Sequence, residues 1–144
     1  MTVKAGTRQE DLDNSSVSQF ISRLALKGTS KFSKDEIERR IDSFGGNVEV
    51  TVTRELTQFS LMFDKSQINE AVAFMSEVVL NPSFDASQVE AEKANLYKDS
   101  TSLKDPERIA HENIHYTSFR DHYLGQPSWG VRDNIYSVTP EQIK

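Results

Sequence analysis

The most explicit chemical spacing in this chain is His111-Glu112-Asn113-Ile114-His115. Two imidazoles at i and i+4 share one helical face and suit a zinc ion, and the glutamate between them could act as base on zinc-bound water. Such a site needs a third ligand. Asp121 stands six residues after His115, where the extended form of this motif places one, and Glu141 is a more distant candidate. That extended motif has glycine where Ser118 stands, because the chain must turn sharply there. Nothing in residues 116–120 is a helix breaker. The plainer reading makes His111 an exposed helix residue that completes a short pattern by chance.

Two further carboxylates, Glu92 and Asp99, fall two helical turns apart. By themselves they read as a solvated helix face. Glu36, Glu38, Arg39 and Arg40 read the same way, with local ion pairs worth about 0.3–0.5 kcal/mol each. Trp129 is expected to pack back on its own domain, and Tyr116, Phe119 and Tyr123 to be core. No glycine-rich phosphate loop, serine-histidine-aspartate set or basic stripe is present. A net charge of −5 disfavours nucleic acid as a general partner. No run approaches transmembrane length, and the absence of cysteine excludes disulfides and thiolate metal sites.

The elements that must position these groups follow from periodicity. Residues 1–5 alternate weakly and read as a short strand. Val17, Phe20, Ile21 and Leu24 fall at i, i+3, i+4 and i+7, so residues 15–29 read as an amphipathic helix stopped by Gly28. Ser33 and Glu36 have capping-box spacing before a helix with Ile37, Ile41 and Phe44 on its buried face. Gly45-Gly46 end it. Residues 47–53 alternate with β-branched residues and read as a half-buried strand. Arg54-Glu55 turns it, and residues 56–63 return antiparallel. Ile68, Val72, Met75 and Val79 mark a helix ended by Asn81-Pro82. A cap at residues 85–88 opens the next helix, with Val89, Leu96 and Leu103 inward. Asp105 with Pro106 opens another, running to about His122. Thr139-Pro140 starts a last helix cut off by Lys144.

Several of these runs carry a family resemblance. The frame Gln19-Phe20-Ile21-Ser22-Arg23-Leu24-Ala25-Leu26-Lys27-Gly28-Thr29 resembles H-F-L-E-H-x-x-F-K-G-T of the pitrilysin/insulinase metallopeptidases. It looks most like their mitochondrial branch, the processing peptidases and the core subunits of ubiquinol:cytochrome c reductase. Ala5-Gly6-Thr7-Arg8-Gln9-Glu10 is similar to the family's A-G-S-R-x-E. Gly45, Gly46, Arg54, Glu55 and Thr57 fit G-G-x-x-x-A-x-x-x-R-E-x-T. Ile114-His115 through Phe119 resembles L-H-x-x-A-F, and Gly125 to Ile135 resembles L-G-x-P-x-x-G-x-x-x-N-I. The resemblance runs from Ala5 to Gln142.

In the active family two histidines bind zinc and the glutamate between them works on its water. The resemblance places Gln19, Arg23 and Ser22 there. The family's third ligand, a glutamate about 76 residues beyond the second histidine, falls on Asp99, and a second family glutamate falls on Glu92. A guanidinium repels a metal ion and serine is no carboxylate base. The implied fold is α+β, a mostly antiparallel sheet with helices packed on it, as one partial peptidase-like domain (residues 1–144) truncated at both ends. The implied function is a non-catalytic core subunit with a structural or assembly role in a mitochondrial respiratory complex, peripheral on the matrix side of the inner membrane. Catalytic, cofactor-binding and metal residues are expected to be none, and so are cofactors. Expected partners are a second peptidase-like subunit and membrane-embedded respiratory subunits, with presequence peptides as a further ligand and no nucleic acid. One alternative is an inactive processing-peptidase partner subunit. Another, of a different class, is a zinc protease using His111, Glu112 and His115.

Overall fold

A computed structural model describes residues 1–10, 15–101, 105–120 and 122–143. Three strands form one antiparallel sheet in the order β1-β3-β2, with β1 Thr2–Val3, β2 Val48–Val52 and β3 Thr57–Leu61. Val48 pairs with Leu61, Val50 with Phe59 and Val52 with Thr57, while Val3 joins the other side of Thr57. The helices are α1 Val17–Leu24, α2 Lys34–Ser43, α3 Ile68–Leu80, α4 Ala86–Thr101, α5 Pro106–Ser118, and the single turns α6 Arg132–Ile135 and α7 Pro140–Ile143. This is an α+β fold. No helix among the described residues is long and apolar enough to cross a membrane.

Helix α1 is shared by two hydrophobic cores. Phe20 and Leu24 pack with Phe84, Val89, Leu96, Ile135, Val138 and Ile143, joining α1 to α4, α6 and α7. Ala25, one residue past α1, joins Ile37, Phe44, Phe59, Phe74 and Val78 beneath the sheet. Val17 and Ile21 are half-buried beside the first core. The Ser33–Glu36 capping box forms as the spacing dictates, with both reciprocal bonds present.

Several expectations are corrected. Helix α1 ends at Leu24, with Ala25 as its cap, not at Gly28. Gly28 instead lies in an extended crossing where a Cβ would come within 2.8 Å of Ser83 Oγ. The buried face of α3 is Ala71, Phe74, Met75 and Val78, whereas Ile68 and Val72 are exposed. Both sets have helical period, and only the position of the sheet selects between them. Helix α5 ends at Ser118 and does not reach His122: Phe119 takes φ −122°, ψ 49°, and the chain enters a 3-10 turn at Tyr123–Gly125. Tyr116, Phe119 and Tyr123 are exposed, not core. Leu103 lies outside the described residues.

Candidate functional site

The place where hydrolytic chemistry would have to sit is the face of α1 turned toward α4. Its three polar positions are all engaged. Gln19 Nε2 donates to the Ser128 carbonyl at 2.5 Å, tying the helix to the loop before α6. The Ser22 hydroxyl turns back on its own helix, donating to the Gln19 carbonyl at 2.9 Å. Arg23 reaches across to α4, where Nη1 meets Glu92 at 3.0 Å and Nη2 meets Asp99 at 2.8 Å. Lys27, one turn on, binds the other Glu92 oxygen at 2.6 Å.

The carboxylate pair is therefore not the solvated face that its spacing suggested. Glu92 is buried and shared between two cations, while Asp99 is exposed but still holds Arg23. Burial by itself would raise the Glu92 pKa. Hydrogen bonds from Lys27 and Arg23 outweigh it and hold the carboxyl below its ordinary range. Desolvation likewise opposes the charge on Arg23, and its bonds to Asp99 and Glu92 reverse that, leaving it raised. Arg23 and Glu92 keep their charges, and the guanidinium bonds to both carboxylates. Zinc does not fit such a donor set. A ligand must offer a lone pair, and the residue facing both acids offers only N–H donors.

The amino end of α1 is held by a residue that the motif reading left without a role. Glu10 accepts from the backbone N–H groups of Ser16 at 2.9 Å and Ser18 at 2.5 Å. A carboxylate at those two donors does what an N-cap side chain would. Ser16, the residue at the cap position, has φ 93° and makes no such bond itself. The only sequence signal was Glu10 in the A-G-S-R-x-E-like run.

The His111-Glu112-x-x-His115 motif is pulled apart by the fold. His111 is exposed, as the plainer reading expected, but Glu112 points into the protein and is buried. It pairs with Arg54 at 2.5 Å and accepts from Ser128 through both the backbone N–H at 3.0 Å and the hydroxyl at 2.5 Å. Arg54 also donates to the Leu124 carbonyl at 3.2 Å. Thus Glu112 fastens α5 to the hairpin turn and to the Ser128 loop, and it is not free to act as base on the histidine side. Burial, then the charges of Arg54 and His111, hold the His115 pKa below its ordinary value, with Glu112 and the Leu124 backbone opposing. Of the candidate third ligands, Glu141 is exposed on α7, and Asp121 lies outside the described residues. Trp129 is half-buried under the Arg108 guanidinium, 5.5 Å from its ring centroid.

Arg23 pairs with Asp99 across 76 residues, the spacing that the resemblance gives to the second and third metal ligands of active members. A sequence profile described as insulinase (peptidase family M16) matches residues 1–130. The chain belongs to the insulinase family. Among curated relatives it is similar to the probable mitochondrial-processing peptidase subunit beta of Schizosaccharomyces pombe, 29% identical over 98% of this chain and 31% of the relative. It is also similar to cytochrome b-c1 complex subunit 1 of Bos taurus, 28% identical over 95% of this chain and 29% of the relative. The chain thus spans about a third of the length of these relatives, which are of the branch that the α1 frame resembled. A protease from Helicobacter pylori superposes with TM-score 0.87 at 16% identity, covering 99% of this chain and 35% of that one. At that identity the likeness concerns the fold alone. Within the insulinase family, this chain keeps the scaffold letters of α1, while of its chemical positions Arg23 enters a salt-bridge cluster and Gln19 and Ser22 donate to backbone carbonyls.

Proposed function

We propose that this chain is a non-catalytic peptidase-like subunit, one partial peptidase-like domain spanning residues 1–144, with a structural or assembly role in a mitochondrial respiratory complex of the ubiquinol:cytochrome c reductase type. The observation that carries the proposal is Arg23 seated between Glu92 and Asp99, a fixed cation where an active relative needs a metal ligand. The likeness to a cytochrome b-c1 subunit supplies the setting. In that setting its partners are a second peptidase-like subunit and membrane-embedded subunits of the complex, and its place is the matrix side of the inner membrane.

The likeness to a processing-peptidase subunit supports a second reading, an inert partner subunit that holds presequence peptides. Gentle detergent extraction of the native protein followed by subunit identification separates the two. Co-migration with redox subunits of a membrane complex is the expected result, and co-migration with a single active peptidase subunit in the soluble fraction supports the second reading. Cleavage of a presequence peptide by the purified chain, abolished by substitution within α1, overturns both.

A further inference from the structure

Glu112 is buried, whereas His111 is exposed and His115 half-buried. The two histidines lie one turn apart on α5, their ring centroids 4.9 Å apart. We propose that these two imidazoles form a non-hydrolytic site for a divalent transition-metal ion, separate from the Arg23 cluster. An i, i+4 histidine pair on one helical face can place two nitrogens on one ion. The His115 Nδ1 is buried, so an ion bound here would have to use Nε2. The His115 ring also stacks on Phe119 at 5.7 Å and 27°. Part of the ordering cost of binding is therefore met before an ion arrives.

The Arg54 charge that bears on His115 is paired with Glu112. The same pair removes the base, so an ion bound here would be held without activating water for peptide cleavage. Among the described residues no group of three or more His, Asp or Glu side chains is placed around an ion. Two protein ligands with water completing the shell describe an exchangeable site. Imidazole favours zinc, nickel or copper and rejects magnesium, which takes oxygen ligands.

Calorimetric titration of the purified protein with zinc chloride tests the site. One saturable equivalent is expected, with magnesium chloride giving no binding. His111→Ala and His115→Ala should each abolish it, and His122→Ala should leave it intact, with far-ultraviolet circular dichroism unchanged in all three. Absence of saturable zinc binding overturns the proposal, as does binding that survives either of the first two substitutions. Nickel gives a second readout: selective broadening of the His111 and His115 ring-proton resonances is expected, and equal broadening of His122 overturns the proposal. None of these outcomes bears on whether Arg23 has displaced a catalytic metal, so the two proposals stand or fall separately.

Discussion

Arg23 is the residue on which the chemistry of α1 turns, because a side chain that can only donate faces two that can only accept. Replacing it by methionine keeps much of the packing but leaves Glu92 paired with Lys27. Because Arg23 is partly exposed and Lys27 remains, the expected cost is about 1–2 kcal/mol, read as a lower urea midpoint. Glu92 also sets a pH dependence. Its folded pKa lies below the ordinary value of 4.5, so the folded state binds fewer protons there than the unfolded chain does. Its contribution is fully present above that value and is lost as pH falls through the lowered folded pKa. Urea midpoints measured downward from pH 5 should fall less steeply in Glu92→Gln than in the parent. A third expectation reverses the substitution set: Gln19→His, Ser22→Glu, Arg23→His and Asp99→Glu together, made in a His111→Ala background that removes the α5 pair, should let the protein retain one zinc after dialysis. Failure of the folded variant to bind zinc would show that more than these side chains separates it from an active relative.

At the level of elements, caps and close approaches decide the boundaries. Ser33→Ala removes the side-chain acceptor at the start of α2 and should cost about 1 kcal/mol, measurable as a shift in the denaturation midpoint. The junction between the α1 entry and the 128–131 loop is tighter. Gly130 has φ 85°, and a Cβ there would lie 2.2 Å from Ser16 Oγ. Gly130→Ala should therefore cost about 1–3 kcal/mol, and it should loosen the Gln19–Ser128 contact visibly in amide exchange near Ser128. The α2 cap, the β2–β3 hairpin and the Pro106 start of α5 were legible because each is a local rule acting within four residues. The end of α1 was not. Lys27-Gly28-Thr29 looks like a stop signal, yet the helix has already closed at Leu24 so that the strand-like crossing can meet Ser33 and Pro82.

For the whole molecule, the two cores meet at α1, so damage to that helix should propagate to both. Phe20 is fully buried, and Phe20→Ala should cost about 3–5 kcal/mol, a large fraction of the stability of an ordinary domain. A cooperative loss of signal from both the α4 side and the sheet side is the expected observation. Read alone, the sequence determined most elements, because periodicity and caps are properties of short segments, and its family resemblance implied the fold class and set Gln19, Ser22 and Arg23 where active members carry metal chemistry. Only the tertiary structure decided what those substitutions do: that Arg23 meets Glu92 and Asp99, that Glu112 turns inward to Arg54, and that Tyr116, Phe119 and Tyr123 face outward. Residues tens of positions apart acquire partners only when α1, α4, α5 and the hairpin are packed together. A helical pattern fixes which residues share a face, and the neighbouring elements fix which face is covered.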